Sequence, residues 1–321
     1  MGSGRWSTDV YAAAAGYRAA TGTSAFAYSD SGARTVHDAL GPHGVRVRES
    51  RDSDQHPQST PIAILFDVTG SMGSVPRVLQ TKLPELFGLL IRKGYCTDPQ
   101  ILFGAIGDAT CDRAPLQIGQ FESDNRTDDD LGRILLEGGG GGQRRESYEL
   151  AMYFMARHTD LDAVARGRRG YLFIIGDEMA YRKVKPDEVG RVVGASIPEP
   201  ISTEAIVAEL RRKYDVYFIM PAQASYTGDA EILGFWRKLL GQNVIELDDL
   251  DAVCETIALT VGLGEDTTDL DSGLTDLADA GSAAGPSVGK ALAPLGSTRG
   301  ALVRSPLPAG FGGRAAPVTR L

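Results

Sequence analysis

The stretch ILFDVTGSM, residues 64–72, runs from an apolar segment directly into an acidic residue. Two hydroxyl side chains follow Asp67 at alternate positions, Thr69 and Ser71, with Gly70 between them. A carboxylate at the end of a buried strand needs a group that compensates its charge. Three possibilities are open: a bound metal ion, a phosphate group, or only backbone N–H groups of a following helix that Asp67 would cap.

The segments around this stretch predict an α/β fold. Continuous apolar runs predict strands buried on both faces, at Ile62–Phe66, Ile101–Ile106, Tyr171–Ile175, Val216–Met220 and Val244–Leu247. Helical patterns occupy 75–91, 128–137, 146–158, 203–214, 229–240 and 250–261, and Pro84 should kink or divide the first of them. This alternation predicts a doubly wound, mostly parallel sheet with helices on both faces. Residues 116–123 could add a short antiparallel edge strand.

The chain divides into three zones. Residues 1–60 form a polar N-terminal extension, in which 45–49 could be an edge strand, although an exposed connector is the favoured interpretation. Residues 61–262 form the α/β domain. Residues 263–321 are rich in Gly, Ala, Pro, Ser and Thr, and this composition predicts a flexible tail, with a short helix near 275–280 as an alternative.

Composition excludes several classes of function. The net charge of −9 and the pI near 5.1 argue against a protein that binds nucleic acid by neutralising phosphates. No apolar run reaches the length of a membrane span, so no membrane association is expected. The three cysteines are far apart and odd in number, which suits reduced thiols and predicts a cytoplasmic protein.

Three aspartates follow three of the predicted strands. Asp67, Asp108 and Asp177 each stand at or just beyond the carboxyl end of a strand, where open α/β sheets bind their ligands. We therefore expect the three to share one rim of the sheet. Mg²⁺ prefers oxygen ligands of this kind, whereas these motifs contain no His or Cys that would favour Zn²⁺.

The run DVTGSM resembles the metal-ion-dependent adhesion site of the von Willebrand factor A domain, whose pattern is Asp-x-Ser-x-Ser. Asp67, Thr69 and Ser71 match it, with threonine in place of the first serine. Asp177, in IIGDE, matches the family's later aspartate. The family's third element is a glycine-rich loop bearing Thr or Asp, and counting along GGGGGQRRESYELA places Gln143 there, which departs from the pattern.

The resemblance covers about residues 61–262 and implies a metal site. Thr69 and Ser71 would bind the ion directly. Asp67 and Asp177 would bind it directly or hold its water ligands, and Gln143 would be a weak candidate ligand. Asp108 would hydrogen bond to the ligands without touching the ion, or cap the turn in GDAT. Mg²⁺ is the expected ion, with Mn²⁺ and Ca²⁺ as alternatives. The glycine run 138–142 is expected to arch over the rim. Arg144 and Arg145 belong to a solvated helix start, or draw in an acidic partner.

The function that the resemblance implies is non-catalytic. It is a bacterial cytosolic module that binds another protein through the metal, with an acidic group of the partner filling the open position. An AAA+ ATPase or a component of a stress or conflict system is the kind of partner implied. The alternative class is a Mg²⁺-dependent phosphohydrolase of haloacid-dehalogenase-like type with Asp67 as nucleophile, although Thr69 stands where that family has its acid/base aspartate. A structural or assembly protein with a vestigial metal site is the third possibility.

Overall fold

The structure is a computed structural model and describes residues 4–22, 26–139 and 141–296. Its strands are β1 (Arg48–Ser50), β2 (Ser59–Asp67), β3 (Asp98–Ile106), β4 (Leu116–Ile118), β5 (Arg145–Glu146), β6 (Thr159–Leu161), β7 (Gly170–Ile175), β8 (Met179–Ala180), β9 (Lys183–Val184), β10 (Ile201–Ser202), β11 (Tyr214–Pro221) and β12 (Val244–Leu247). Its α-helices are α1 (Thr8–Thr21), α2 (Ala27–Asp30), α3 (Val75–Lys82), α4 (Pro84–Arg92), α5 (Arg126–Arg133), α6 (Tyr148–Arg157), α7 (Asp162–Ala165), α8 (Pro186–Glu188), α9 (Thr203–Leu210), α10 (Ala230–Leu240), α11 (Val253–Gly264), α12 (Leu270–Asp279) and α13 (Gly285–Gly296). No helix in these ranges is long and apolar enough to cross a membrane.

Six strands form the central sheet, in the order β12-β11-β7-β2-β3-β4. Every neighbouring pair is parallel except β3 and β4, which are antiparallel. Along the chain, the sheet begins at its middle with β2 and continues outward through β3 to β4. The chain then returns to the other side of β2 with β7 and continues outward through β11 to β12. This doubly wound, mostly parallel sheet with an antiparallel edge strand is the predicted fold class.

Alternate residues of the strands divide the core into two layers. Ile62, Ile64 and Phe66 of β2 face the layer that α3, α4, α11 and α13 cover, whereas Ala63 and Leu65 face the layer that α6, α9 and α10 cover. Since both faces of a parallel sheet are covered, its strands are apolar at nearly every position. The buried carboxyl ends of these strands are therefore the part of the sheet where polar side chains collect.

The predicted elements of the middle zone are present; the strand at Val244–Leu247 has the predicted bounds, and the other four strands are longer than predicted. Pro84 divides the first helix into α3 and α4, as predicted, because proline has no N–H to donate to the preceding turn. The predicted edge strand is present as β4, which pairs antiparallel with β3 over Gly104–Ile106.

The N-terminal zone packs against the domain instead of connecting to it as an exposed segment. β1 pairs in parallel with β6 outside the main sheet. Arg51 forms ion pairs with Glu49, Asp160 and Asp162 at 2.6, 2.6 and 2.8 Å. The predicted strand at 45–49 is thus displaced to Arg48–Ser50, and its partner comes from a distant part of the sequence.

The prediction of a flexible tail from residue 263 is wrong for residues 263–296. This segment continues α11 and then forms α12 and α13, which lie against the first core layer. Val288, Ala291, Leu292 and Leu295 are buried at the i, i+3, i+4, i+7 spacing of one helix face. The Gly, Ala and Pro content hid this short apolar stripe. Residues 297–321, the rest of the predicted tail, lie outside the described residues.

We expect Leu292→Ala to lower the free energy of unfolding by about 2–4 kcal/mol, since Leu292 is fully buried and the truncation leaves a cavity. Urea unfolding followed by circular dichroism measures the change. Ile91→Ala is the matched control because Ile91 is 46% exposed and should lose far less. Equal effects of the two substitutions would contradict the packing of α13.

Candidate metal centre

The three aspartates lie at neighbouring strand ends, as the sequence predicted. Asp67 is the last residue of β2, and Asp108 and Asp177 each come two residues after β3 and β7. β2 pairs with β3 on one side and with β7 on the other, in parallel. All three side chains are buried at one rim of the sheet.

The loop after β2 holds two hydroxyl groups between two buried carboxylates. The backbone N–H and the hydroxyl of Thr69 donate to Oδ1 of Asp67, at 2.7 and 2.6 Å. The hydroxyl of Ser71 donates to Oδ1 of Asp177 at 2.8 Å, and Thr69 Oγ1 lies 3.3 Å from Ser71 Oγ. A hydroxyl that gives its proton to a carboxylate keeps its lone pairs for a cation. Asp67 caps the local turn at Thr69 and leaves the N-terminus of α3 uncapped by a side chain.

The loop after β11 completes this side of the rim, and no sequence pattern marked it. The backbone N–H of Tyr226 donates to Asp177 Oδ2 at 3.1 Å. Ser225 donates its N–H and its hydroxyl to the carbonyl of Ser71, at 2.9 and 2.8 Å. The loop reaches the site because β11 is the neighbour of β7 in the sheet.

Tyr148, the first residue of α6, donates its hydroxyl to Asp67 Oδ2 at 2.5 Å. Burial raises the pKa of Asp67 to about 7; hydrogen bonds from Thr69 and Tyr148 oppose this rise, and the charge of Asp177 adds to it. Burial also raises the pKa of Asp177, against hydrogen bonds from Ser71 and Tyr226. Both carboxylates would therefore be stabilised by a nearby positive charge.

Asp108 caps a turn and accepts hydrogen bonds from several polar groups around it. Its Oδ1 accepts from the N–H of Thr110 at 2.8 Å. Its Oδ2 accepts from the Thr110 hydroxyl, the Tyr181 hydroxyl and the Gln143 amide at 2.8, 2.9 and 2.6 Å. The Gln143 amide nitrogen also donates to the Tyr181 hydroxyl at 2.8 Å. The structure thus places Gln143, the third-element candidate, with Asp108 and not beside Thr69 or Ser71.

The glycine-rich loop lies directly against the motif loop. Gly70 donates its N–H to the carbonyl of Gly139, and Gly138 donates to the carbonyl of Val68. A Cβ at position 70 would lie 3.0 Å from the Gly139 oxygen, so only glycine fits there without displacement. Gly138 and Gly142 have φ of +65° and +73°, which glycine adopts without strain. The two backbone hydrogen bonds from this loop hold the backbone of the motif at Val68 and Gly70 in place.

Neither arginine after the glycine run points freely into solvent. Arg144 pairs with Asp229 and with Glu231, and its guanidinium lies 5.3 Å from the centre of the Tyr226 ring. Arg145 donates to the carbonyl of Ala180 at 2.8 Å. The Arg144 contacts tie the end of the glycine loop to the loop after β11, and the Arg145 contact ties it to β8.

Two buried glutamates also lie at the rim, although no sequence motif marks them. Glu146 is 2% exposed and Glu178 is 4% exposed. The short strands β5 and β8 pair in parallel and bring the two residues together. Burial raises the pKa of both carboxyl groups, and the charge of Asp67 raises it further. In the sequence, Glu178 directly follows Asp177, and Glu146 lies two residues before the start of α6.

The residues at the rim fit a hard divalent cation. Oε2 of Glu146 and Oε2 of Glu178 are buried without a hydrogen-bond partner in the part of the chain that the structure describes. Within the same part, no three His, Cys, Asp or Glu side chains converge as a ligand set. A cation at this rim would need hydroxyl oxygens as well as carboxylates, and Thr69 and Ser71 are placed to offer them. Oxygen donors of this type suit Mg²⁺, Mn²⁺ or Ca²⁺.

The strand order and the position of the motif decide the fold type. Counting only the strands of the main sheet along the chain, the order is 3-2-1-4-5-6 with the third strand antiparallel, and the Asp-x-Thr-x-Ser motif follows the first strand. The chain has a von Willebrand factor A-like fold. No family model matches the sequence, and no curated protein matches it.

Solved structures with a similar fold include three proteins of low sequence identity. The pilus adhesin SpaC from Lactobacillus rhamnosus GG matches 67% of this chain with 9% identity and a TM-score of 0.46, over 31% of its own length. A von Willebrand factor type A protein from Catenulispora acidiphila matches 64% with 14% identity and a TM-score of 0.37, over 42% of its length. Proximal thread matrix protein 1 from the mussel byssus, with a zinc-occupied MIDAS motif, matches 63% with 10% identity and a TM-score of 0.42, over 47% of its length. The matched part of this chain thus spans less than half of each structure.

Proposed function

We propose that this chain is a divalent-cation-dependent protein-interaction module. The observation that carries the proposal is the pair of hydroxyls between two buried carboxylates: Thr69 donates to Asp67, Ser71 donates to Asp177, and the two hydroxyl oxygens lie 3.3 Å apart. Thr69 and Ser71 would contact the cation through their oxygens, while Asp67 and Asp177 orient those hydroxyls and offset the cation's charge. Mg²⁺ is the proposed ion, with Mn²⁺ and Ca²⁺ as alternatives.

When bound, the cation supplies a coordination position that accepts a hard oxygen donor from outside the chain. The chain's own residues fix where that position lies. Asp67 is fully buried and Thr69 is 3% exposed, whereas Ser71 is partly exposed, so a partner would approach from the Ser71 side. A carboxylate of the partner protein is the proposed donor. An AAA+ ATPase or a component of a stress or conflict system is the proposed kind of partner.

The environment of Asp67 does not favour the phosphohydrolase alternative. A nucleophilic carboxylate needs one oxygen that can reach phosphorus. Oδ1 of Asp67 accepts two hydrogen bonds from Thr69, and Oδ2 accepts one from Tyr148. Both carboxylate oxygens of Asp67 thus already accept hydrogen bonds, and the Asp67 side chain has no exposed surface.

Titration of the metal-stripped full chain with Mg²⁺, Mn²⁺ and Ca²⁺ tests the proposal. We expect saturable binding by calorimetry. The double variant Thr69→Ala/Ser71→Ala should lose affinity by at least the factor of about 10 to 100 that removing ligand-orienting groups costs, since two direct oxygen donors are removed. Asp269→Asn is the control because Asp269 caps α12 far along the chain from the motif. Equal affinities of the wild type and the double variant would contradict the proposal and favour a scaffold with a vestigial site.

A further inference from the structure

The outer edge of the main sheet is open at β12. This strand is the last of the sheet on its side, and among the described residues it pairs only with β11. The carbonyls of Asn243 and Leu247 accept hydrogen bonds from N–H groups of β11 and of the residue that follows it. Because the backbone groups of successive strand residues point to alternate sides, Val244 and Glu246 direct theirs away from β11. The N–H and C=O groups of these two residues therefore lie on the open edge.

A groove of about 500 Å³ lies along this edge, between the C-terminal end of α10 and one side of α13. Val244 and Glu246 both line it, so their outward-pointing backbone groups face the groove. The two helices cover opposite layers of the core, since Leu240 of α10 packs in one and Leu292 of α13 in the other. The groove is thus a slot beside a free strand edge, a shape that suits an extended backbone adding a strand.

The described chain ends beside this groove. α13 finishes at Gly296, and Pro294 lines the groove. In the sequence that follows, residues 301–303 are Ala-Leu-Val and lie between two arginines. Five residues of extended chain, from 296 to 301, span at most about 17 Å, whereas a four-residue strand such as β12 is about 13 Å long. The apolar stretch that begins at residue 301 is therefore within reach of the groove.

The charges favour this stretch over a second copy of the chain. Residues 297–321 contain four arginines and no Asp or Glu, and Arg299 and Arg304 flank the apolar residues. Two half-exposed carboxylates border the groove, those of Glu246 and Asp248, each paired on one side with a basic residue of a helix. Edge-to-edge pairing of two copies would instead bring these acidic residues together, in a chain of net charge −9.

We propose that residues 301–304 add to the main sheet as a further strand beside β12, in the groove between α10 and α13. The N–H and C=O groups of Val244 and Glu246 bond to the backbone of this segment, and its flanking arginines approach Glu246 and Asp248 from the open side. The added strand covers an edge that would otherwise be free to pair with another chain.

Amide hydrogen exchange, followed by NMR on the full chain in chelator, tests the docking residue by residue and separately from the metal site. All four amides of β12 should be protected in the wild type. Leu302→Pro/Val303→Pro removes two successive N–H groups, one of which faces β12 in any register. In this variant the amides of Val244 and Glu246 should exchange at least about tenfold faster. Those of Ile245 and Leu247 should keep their rates, because they bond to β11.

Ala315→Pro/Ala316→Pro is the matched control, since it makes the same change outside the apolar stretch, and it should exchange like the wild type. Equal rates at Val244 and Glu246 in the wild type and in Leu302→Pro/Val303→Pro would overturn the inference. An equally large acceleration in the control would overturn the choice of residues 301–304. Sedimentation equilibrium should give the mass of one chain; a dimer that Leu302→Pro/Val303→Pro dissociates would overturn docking within the chain and assign the groove to a second copy.

Discussion

Replacing Asp67 with alanine is expected to weaken divalent-cation binding by about 100-fold, the upper end of the effect of removing groups that orient metal ligands. Asp67 holds the Thr69 hydroxyl and backbone N–H through a single oxygen. Without it, the Thr69 hydroxyl loses the acceptor that directs its lone pairs to the cation, and the site loses one of its negative charges. Calorimetric titration with Mg²⁺ and Mn²⁺ measures the loss.

The same substitution should leave the fold largely intact in the absence of metal. Alanine removes a desolvated carboxylate whose pKa burial raises to about 7, which favours the folded state. It also leaves the buried Tyr148 hydroxyl without its acceptor, which opposes that gain. We therefore expect the thermal midpoint in chelator to change by only a few degrees. Asp67→Asn, which retains the volume and one oxygen acceptor, is the conservative control. Unchanged cation affinity in Asp67→Ala would refute the assignment of the site.

Trp236→Ala is expected to lower the free energy of unfolding by about 3–5 kcal/mol, with a fall in Tm on the order of 10 °C. Trp236 is fully buried in α10. Its ring stacks on Phe218 at a centroid distance of 4.1 Å and meets the edge of Tyr148 at 5.4 Å. Truncation would leave a cavity between α6, α10 and β11 that the surrounding strands cannot fill without moving.

This tryptophan also connects the core to the rim. Its Nε1 donates to the carbonyl of Glu178 at 2.8 Å. Its ring also packs against the ring of Tyr148, whose hydroxyl donates to Asp67. Trp236→Phe keeps most of the apolar contact and removes the hydrogen bond, so it separates packing from positioning. Phe235→Ala on the same helix is the control, because Phe235 is only partly buried. A smaller loss in Trp236→Ala than in Phe235→Ala, in thermal unfolding, would contradict this account.

The residues of the rim differ in how far the sequence revealed them. Thr69 and Ser71 were predictable because they follow Asp67 at fixed spacing in one short loop. Asp177 was predictable because it follows a strongly apolar strand. Gln143 as a ligand stays a prediction: the structure places its amide nitrogen on Asp108 and on the Tyr181 hydroxyl, a contact that counting along a glycine run could not show. The structure also brings Glu146 to the rim, where β5 pairs with β8.

The C-terminal helices show a second limit of the sequence pattern. Composition alone indicated a flexible segment after residue 262, and short helices contribute few apolar residues to a pattern. α12 and α13 are stable because α11 and β12 offer an apolar surface to Leu277, Val288 and Leu292. Isolated helices of this length are marginal in water, and tertiary packing decides whether they form.

The sequence by itself determined the doubly wound sheet, the order of strands and helices in the middle zone, and the gathering of Asp67, Asp108 and Asp177 at one rim. These features follow from local periodicity and from the rule that parallel strands end at the same edge. Only the tertiary structure decided that Tyr148, Glu146, Glu178 and the Ser225–Tyr226 turn complete that rim. Their positions depend on contacts between segments far apart in the chain, such as the 81-residue separation between Tyr148 and Asp67, and no local pattern encodes such contacts.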